Sequence, residues 1–240
     1  MDLNANDGRL QQTETDWVLL QLAHAALPSE SRRHWTELLC RYERPVTRFL
    51  RHLVRDEHIV EEIHQEFWVR MLRGDFAAAR PERGRFRYML KTVLVNMVAD
   101  YFRKRKRERS NPGWDWPDNG SDPAVELTAR YLAGWRVELL ERVMEELAKE
   151  EQSDGHPWRA ILNLEIEHPK QTSAIKAEML ARLLNRPMTA ENYRKILSRA
   201  RKRFMTLLIL EVRATLVDPT EAGILEELAE LELLEYCKPS

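Results

Sequence analysis

Residues 86–107 read FRYMLKTVLVNMVADYFRKRKR. Phe86, Leu90, Val93, Met97 and Tyr101 recur at steps of three and four, which lays them along one face of an α-helix. The stretch therefore predicts a helix that buries this stripe. Asn96 and Asp100, four apart, share a polar face, and after Tyr101 and Phe102 come five cations in a row, Arg103, Lys104, Arg105, Lys106 and Arg107. Cations at a helix C-terminus complement the helix dipole, so a solvated helix end is one reading. The other is nucleic acid: aromatic rings stack on unstacked bases while neighbouring cations follow the phosphates.

Upstream, residues 56–73 read DEHIVEEIHQEFWVRMLR. Ile59, Ile63 and Phe67 form an inward stripe, and Glu61, Glu62, Gln65 and Glu66 turn outward. Before them, Trp35, Leu38, Leu39, Tyr42, Val46, Phe49, Leu50 and Leu53 predict a long helix, with Pro45 a candidate kink. Downstream, residues 110–123, SNPGWDWPDNGSDP, gather the residues that break helices and make turns. They predict a flexible interdomain linker, whose Trp114 and Trp116 either anchor a partner surface or pack on a neighbouring domain.

Beyond the linker, residues 127–147 predict a helix with an acidic outer face, and residues 155–157 a break. A short helix over 177–184 then leads through Asn185, Arg186, Pro187 and Met188 to Thr189, a suitable N-cap for a helix reaching Phe204. The small Ala181 would let the two helices approach closely, and the second is rich in cations. This fits a helix-turn-helix in which Asn192, Arg194, Lys195 and Arg199 face bases or phosphates. An αα-hairpin with a solvated basic face fits the same residues. Past Pro219, Ile224, Leu225, Leu228, Leu231 and Leu234 predict a further amphipathic helix with glutamates outside. Such a stripe needs cover: it packs on the second domain or binds a partner, and its acid could mask the basic helix.

The 240 residues suffice for two small domains, and 32% charged residues with only 8 glycines favour long amphipathic helices, an all-α protein. The net charge of −1 conceals strong segregation. Arg83, Arg85, Arg87 and Lys91 precede the run at 103–107, a second basic block spans 194–203, and acid collects at 138–151 and 218–235. The two cysteines, Cys40 and Cys237, show neither a disulfide framework nor zinc spacing, which fits a reducing cytoplasm. No apolar run approaches membrane-spanning length, so no membrane insertion is expected. Asp56, Glu57, Glu61 and Glu62 lie on one exposed stretch with no second cluster at ligand spacing, and no phosphate loop or nucleophile motif occurs. The expectation is a non-enzyme without cofactor or metal.

Taken in order, residues 34–53, 56–73 and 86–107 resemble region 2 of extracytoplasmic-function sigma factors, members of the sigma-70 family. Gln65, Glu66 and Phe67 match the acidic helix of that pattern, and Asn96, Asp100 and Arg103 the helix with an arginine-rich end. Residues 193–204, YRKILSRARKRF, are similar to the end of the region 4 recognition helix, with Arg199, Ala200 and Arg201 as its signature. Asn185 stands where the family has glycine, Pro187 lengthens the turn, and the tail after Val212 exceeds the minimal pattern.

The resemblance implies region 2 at 15–109, a linker at 110–124, region 4 with the helix-turn-helix at 125–213, and an acidic helical extension at 214–240. It implies docking on core RNA polymerase, at the β′ clamp and the β subunit, through Glu62, Gln65, Glu66 and Phe67. It implies minus-10 promoter DNA binding by Asn96, Asp100, Arg103, Lys104 and Arg105, and minus-35 binding by Asn192, Arg194, Lys195, Arg199 and Arg201. An anti-sigma factor is a further partner the family admits. The alternative is a stand-alone helix-turn-helix regulator, which needs only one basic helix and no polymerase.

Overall fold

Apolar steps of three and four become helix along the chain. The computed structural model describes residues 16–25, 28–76, 85–109, 123–216 and 219–237. These form α1 (Asp16–Ala25), α2 (Pro28–Leu53), α3 (Glu57–Arg73), α4 (Phe86–Arg109), α5 (Pro123–Asp154), α6 (Trp158–Glu167), α7 (Ser173–Leu184), α8 (Ala190–Ala214) and α9 (Glu221–Glu230), then a 3-10 turn at Leu234–Cys237. The protein is all-α, and the described residues contain no strand. Of the linker expected at 110–124, residues 110–122, with Trp114 and Trp116, lie outside the described residues, and residues 123 and 124 already belong to α5.

The chain forms two compact units, Met1–Glu138 with Arg213–Glu227, and Leu139–Val212 with Leu228–Ser240. The division falls at residue 138, inside α5, not at the proline-rich stretch. Aromatic side chains explain why residues 123–138 join the first unit. Trp135 of α5 stacks on Tyr42 of α2 at 5.3 Å, and Tyr131 meets Phe49 edge-on at 4.7 Å. Tyr42 also meets Phe86 of α4, which meets Trp17 of α1 at 5.1 Å. Each such pair contributes roughly 0.5–1.5 kcal/mol beyond its area burial. Asp16, fully buried at the start of α1, accepts hydrogen bonds from Tyr42 and, at 2.6 Å, from Arg41.

α2 continues through Pro45 without a break. α3 is capped at both ends: the Asp56 side chain accepts from the His58 and Ile59 N–H groups, and Gly74 closes the helix at φ 83°. A left-handed residue there lets its N–H and the next reach back to the last turn's carbonyls.

In the second unit, Ile161, Leu164, Ala177, Leu180, Tyr193, Leu197 and Ala200 make one core from α6, α7 and α8. The alanines sealed inside it are Ala177 and Ala200, whereas Ala181, expected to provide the close approach, is half-buried. Asn185 takes the left-handed conformation, φ 49°, that its place in the turn requires. Thr189 accepts from the Asn192 N–H at 3.2 Å, as an N-cap does. α8 then runs ten residues beyond Phe204, because Leu207, Leu208 and Val212 continue its buried stripe.

The single C-terminal amphipathic helix needs correction. α9 stops at Glu230, Glu232 adopts φ 55°, and the Leu233 N–H bonds the Leu228 carbonyl at 2.7 Å. Ile224, Leu228 and Leu231 are buried as expected, but so is Leu233, while Leu225 and Leu234 are exposed. The turn rotates the stripe by a residue.

Candidate nucleic-acid interface

The polar face of α4 is built on its buried one. The expected stripe needs correction, since Leu94 and Val98 are buried with Phe86, Leu90 and Met97 while Val93 and Tyr101 are half-buried; Asn96, Asp100 and Arg103, at steps of four and three, stay exposed together on the far side. Arg103 donates to Asp100 along the helix surface, and Lys104 is exposed beside it. The structure thus brings four of the five expected minus-10 residues to the solvent side of one helix end. The side chains of Lys106 and Arg107 lie outside the described residues.

Arg105 is placed differently. It is half-buried, donates from Nη1 to the Tyr101 hydroxyl at 2.9 Å, and lies 5.8 Å from that ring's centroid. Tyr101 in turn donates to Oε2 of Glu62 on α3 at 3.0 Å. Desolvation, then the hydrogen bond to Glu62 and its charge, raise the Tyr101 pKa and keep the hydroxyl protonated.

On α3, Glu61, Glu62, Gln65 and Glu66 are exposed as expected, with Glu66 paired to Arg70 at 2.7 Å. Phe67 requires correction: it is fully buried, so its ring supports the helix from beneath and offers no surface. In its place Val69 and Leu72, 38% and 52% exposed, extend the Gln65 row at steps of four and three. Sequence reasoning passed over them, although both stand off the Ile59, Ile63 and Phe67 stripe.

Of the basic block before the cation run, Arg83 lies outside the described residues and the other three are engaged within the unit. Arg87 is buried and bonds Glu227, Arg85 pairs with the same carboxylate at 2.7 Å, and Lys91 donates to Thr128 at 2.7 Å. Burial lowers the pKa of Arg87 first, opposed by the Glu227 charge, and also lowers that of Lys91.

On α8, Asn192, Lys195 and Arg199 form an exposed row that Lys202 continues, while Arg194 and Arg201 flank it. Lys195 pairs with Glu191 at 2.7 Å. Arg201 reaches Glu165 of α6 at 3.3 Å, and Glu165 also accepts from Lys176 at 2.9 Å and from the Tyr193 hydroxyl at 2.8 Å. Arg203 is held by Glu150 of α5, so part of the acidic outer face of that helix is used internally. Glu138, from the same acidic stretch, is buried.

Among the described residues no group of three or more histidines, cysteines and carboxylates is placed to hold a metal ion, and no helix is long and apolar enough to cross a membrane. Residues 38–108, from within α2 to the cationic end of α4, match the family described as Sigma-70 region 2. No curated protein and no solved structure matches the chain.

Proposed function

We propose, from the match of α2 to α4 with Sigma-70 region 2, that the protein is a sigma factor of the extracytoplasmic-function type, a non-enzymatic cytoplasmic subunit that directs RNA polymerase to promoters. The observation that carries this is the pairing of two unlike surfaces on adjacent helices. α3 presents Gln65, Glu66, Val69 and Leu72, a mixed acidic and apolar face suited to a basic protein partner, the β′ clamp of core polymerase. α4 presents Asn96, Asp100, Arg103 and Lys104, which suit an opened minus-10 strand: cations follow its backbone and polar groups read an extruded base. Asn192, Lys195, Arg199 and Lys202 on α8 would enter duplex DNA at the minus-35 element.

Transcription in vitro with core polymerase and a promoter library tests the proposal. Protein-dependent initiation from a defined subset of promoters supports it. Tight duplex binding in the absence of polymerase, with no initiation in its presence, supports a stand-alone regulator.

A further inference from the structure

The resemblance assigns Glu62 to polymerase docking, yet its carboxylate is engaged within the unit. Its Oε2 accepts the Tyr101 hydroxyl proton at 3.0 Å, and the same hydroxyl accepts from Arg105 Nη1 at 2.9 Å. A tyrosine hydroxyl has one proton to give and lone pairs to receive, so the three groups form a directed chain, arginine to tyrosine to carboxylate. Each bond in such a chain polarises the next. The chain begins on Arg105, which is half-buried where Arg103 and Lys104 are exposed, and ends on α3.

We infer that Glu62 is a positioning residue for the nucleic-acid-binding end of α4, acting through Tyr101 on Arg105. The inference rests on the proposed minus-10 role of α4. Arg105 has a long side chain with many rotamers, and ordering it before binding removes an entropic cost that a strand would otherwise meet on arrival. Arg103 is exposed at 66% and, among the contacts described, pairs with Asp100 of its own helix, so no contact described here ties it to a second helix. One end of α4 therefore carries a guanidinium tied through Tyr101 to α3 beside one paired only along its own helix. The tied one is suited to a fixed position on a single strand, such as one phosphate or one base edge.

The test uses the full chain with core polymerase and the variants Glu62→Ala, Glu62→Gln, Tyr101→Phe and the double variant Glu62→Ala/Tyr101→Phe. Two affinities are read, for core polymerase and, by the assembled holoenzyme, for a single-stranded minus-10 oligonucleotide. Positioning predicts that Glu62→Ala leaves core affinity within about twofold and weakens oligonucleotide binding about three- to tenfold. Glu62→Gln, which keeps an acceptor for the hydroxyl, retains most of the binding. The double variant loses no more than Tyr101→Phe alone, since both act on one chain. A Glu62→Ala variant that loses core affinity while its holoenzyme binds the oligonucleotide normally overturns the inference, as do additive losses. Failure of the wild-type protein to bind core polymerase would instead overturn the functional proposal. The variants are then read on oligonucleotide binding by the free chain, where equal affinity of Glu62→Ala and wild type overturns positioning.

Discussion

The carboxylate of Glu227 is paired with the guanidinium of Arg87, 140 residues earlier in the chain, and the two side chains are 0% and 2% exposed. Arg85 approaches the other oxygen, and the Arg87 carbonyl accepts the Tyr131 hydroxyl at 2.7 Å. The first turn of α4 is thus held by α5 and by the C-terminal segment of its own unit. That segment is structural, although it lies beyond the minimal pattern of the family the chain resembles.

Removing one partner of a buried ion pair leaves an uncompensated charge, so Glu227→Ala should lower stability by about 3–5 kcal/mol in urea denaturation. Replacing both partners with apolar residues, Glu227→Leu with Arg87→Met, should recover much of the loss. Truncation after Arg213 should lower the melting temperature, since it also removes buried Ile224 and Leu228. Normal melting of Glu227→Ala would mean that the pair does not hold α4.

The docking role proposed for α3 offers a test in which the fold is spared. Gln65 and Glu66 are exposed, and surface substitutions of this kind usually change stability by less than about 0.5 kcal/mol. Lysine at both positions should leave circular dichroism and melting unchanged while reducing core polymerase affinity about tenfold or more through like-charge repulsion. Unchanged affinity would remove α3 from the interface.

Two residues on the exposed face of α4 should separate base reading from charge. Asn96→Ala should change preference at one minus-10 position, and Arg103→Ala should weaken all promoters alike and lower the salt slope by about one unit. Competition assays on promoter variants at several salt concentrations measure both. A uniform loss from Asn96→Ala at every sequence would make its role structural.

How legible these features were in the sequence depended on their range. Periodicity is local, and it gave the inward stripe of α3 and the exposure of Gln65, Glu66, Asn96 and Asp100, but on α4 only Phe86, Leu90 and Met97 of the expected stripe are buried. Capping is local too, and Asp56, Thr189 and Asn185 act as their residue types suggest. Pairings distant in sequence leave no such pattern. Arg87 stands in a row of cations that reads as surface, and nothing near it shows that Glu227 closes over it. Trp135 and Tyr131 follow a proline-rich stretch that marks a boundary, yet their rings belong to the first unit's aromatic core. Phe67 was correctly placed on the inward stripe, and the same burial that makes it core disqualifies it as a docking surface. α1 is ten residues long and follows a polar stretch, so buried Trp17, Leu19, Leu20 and Ala23 make too short a pattern to stand out in the sequence.

Glu165 joins the three helices of the second unit's core, accepting from buried Lys176 on α7 and from Tyr193 on α8, with Arg201 of α8 alongside. Desolvation alone would raise its pKa, but hydrogen bonds from Lys176 and Tyr193 and the charges of Lys176 and Arg201 together outweigh it, and the net shift is downward from 4.5. A carboxyl with a depressed folded pKa binds fewer protons folded than unfolded, so stability rises with pH across that window. Its contribution is full above about 4.5 and is lost as pH falls through the folded value. Glu165→Gln should therefore destabilise the protein by about 1.5–3 kcal/mol at neutral pH, the range for hydrogen bonds to a charged group. The difference should shrink as the wild-type carboxyl protonates. Urea denaturation of both proteins between neutral pH and about pH 3 measures this difference directly. A gap that stays constant through the acid range would assign the loss to side-chain shape and remove the charge of Glu165 from the account of how α8 is held.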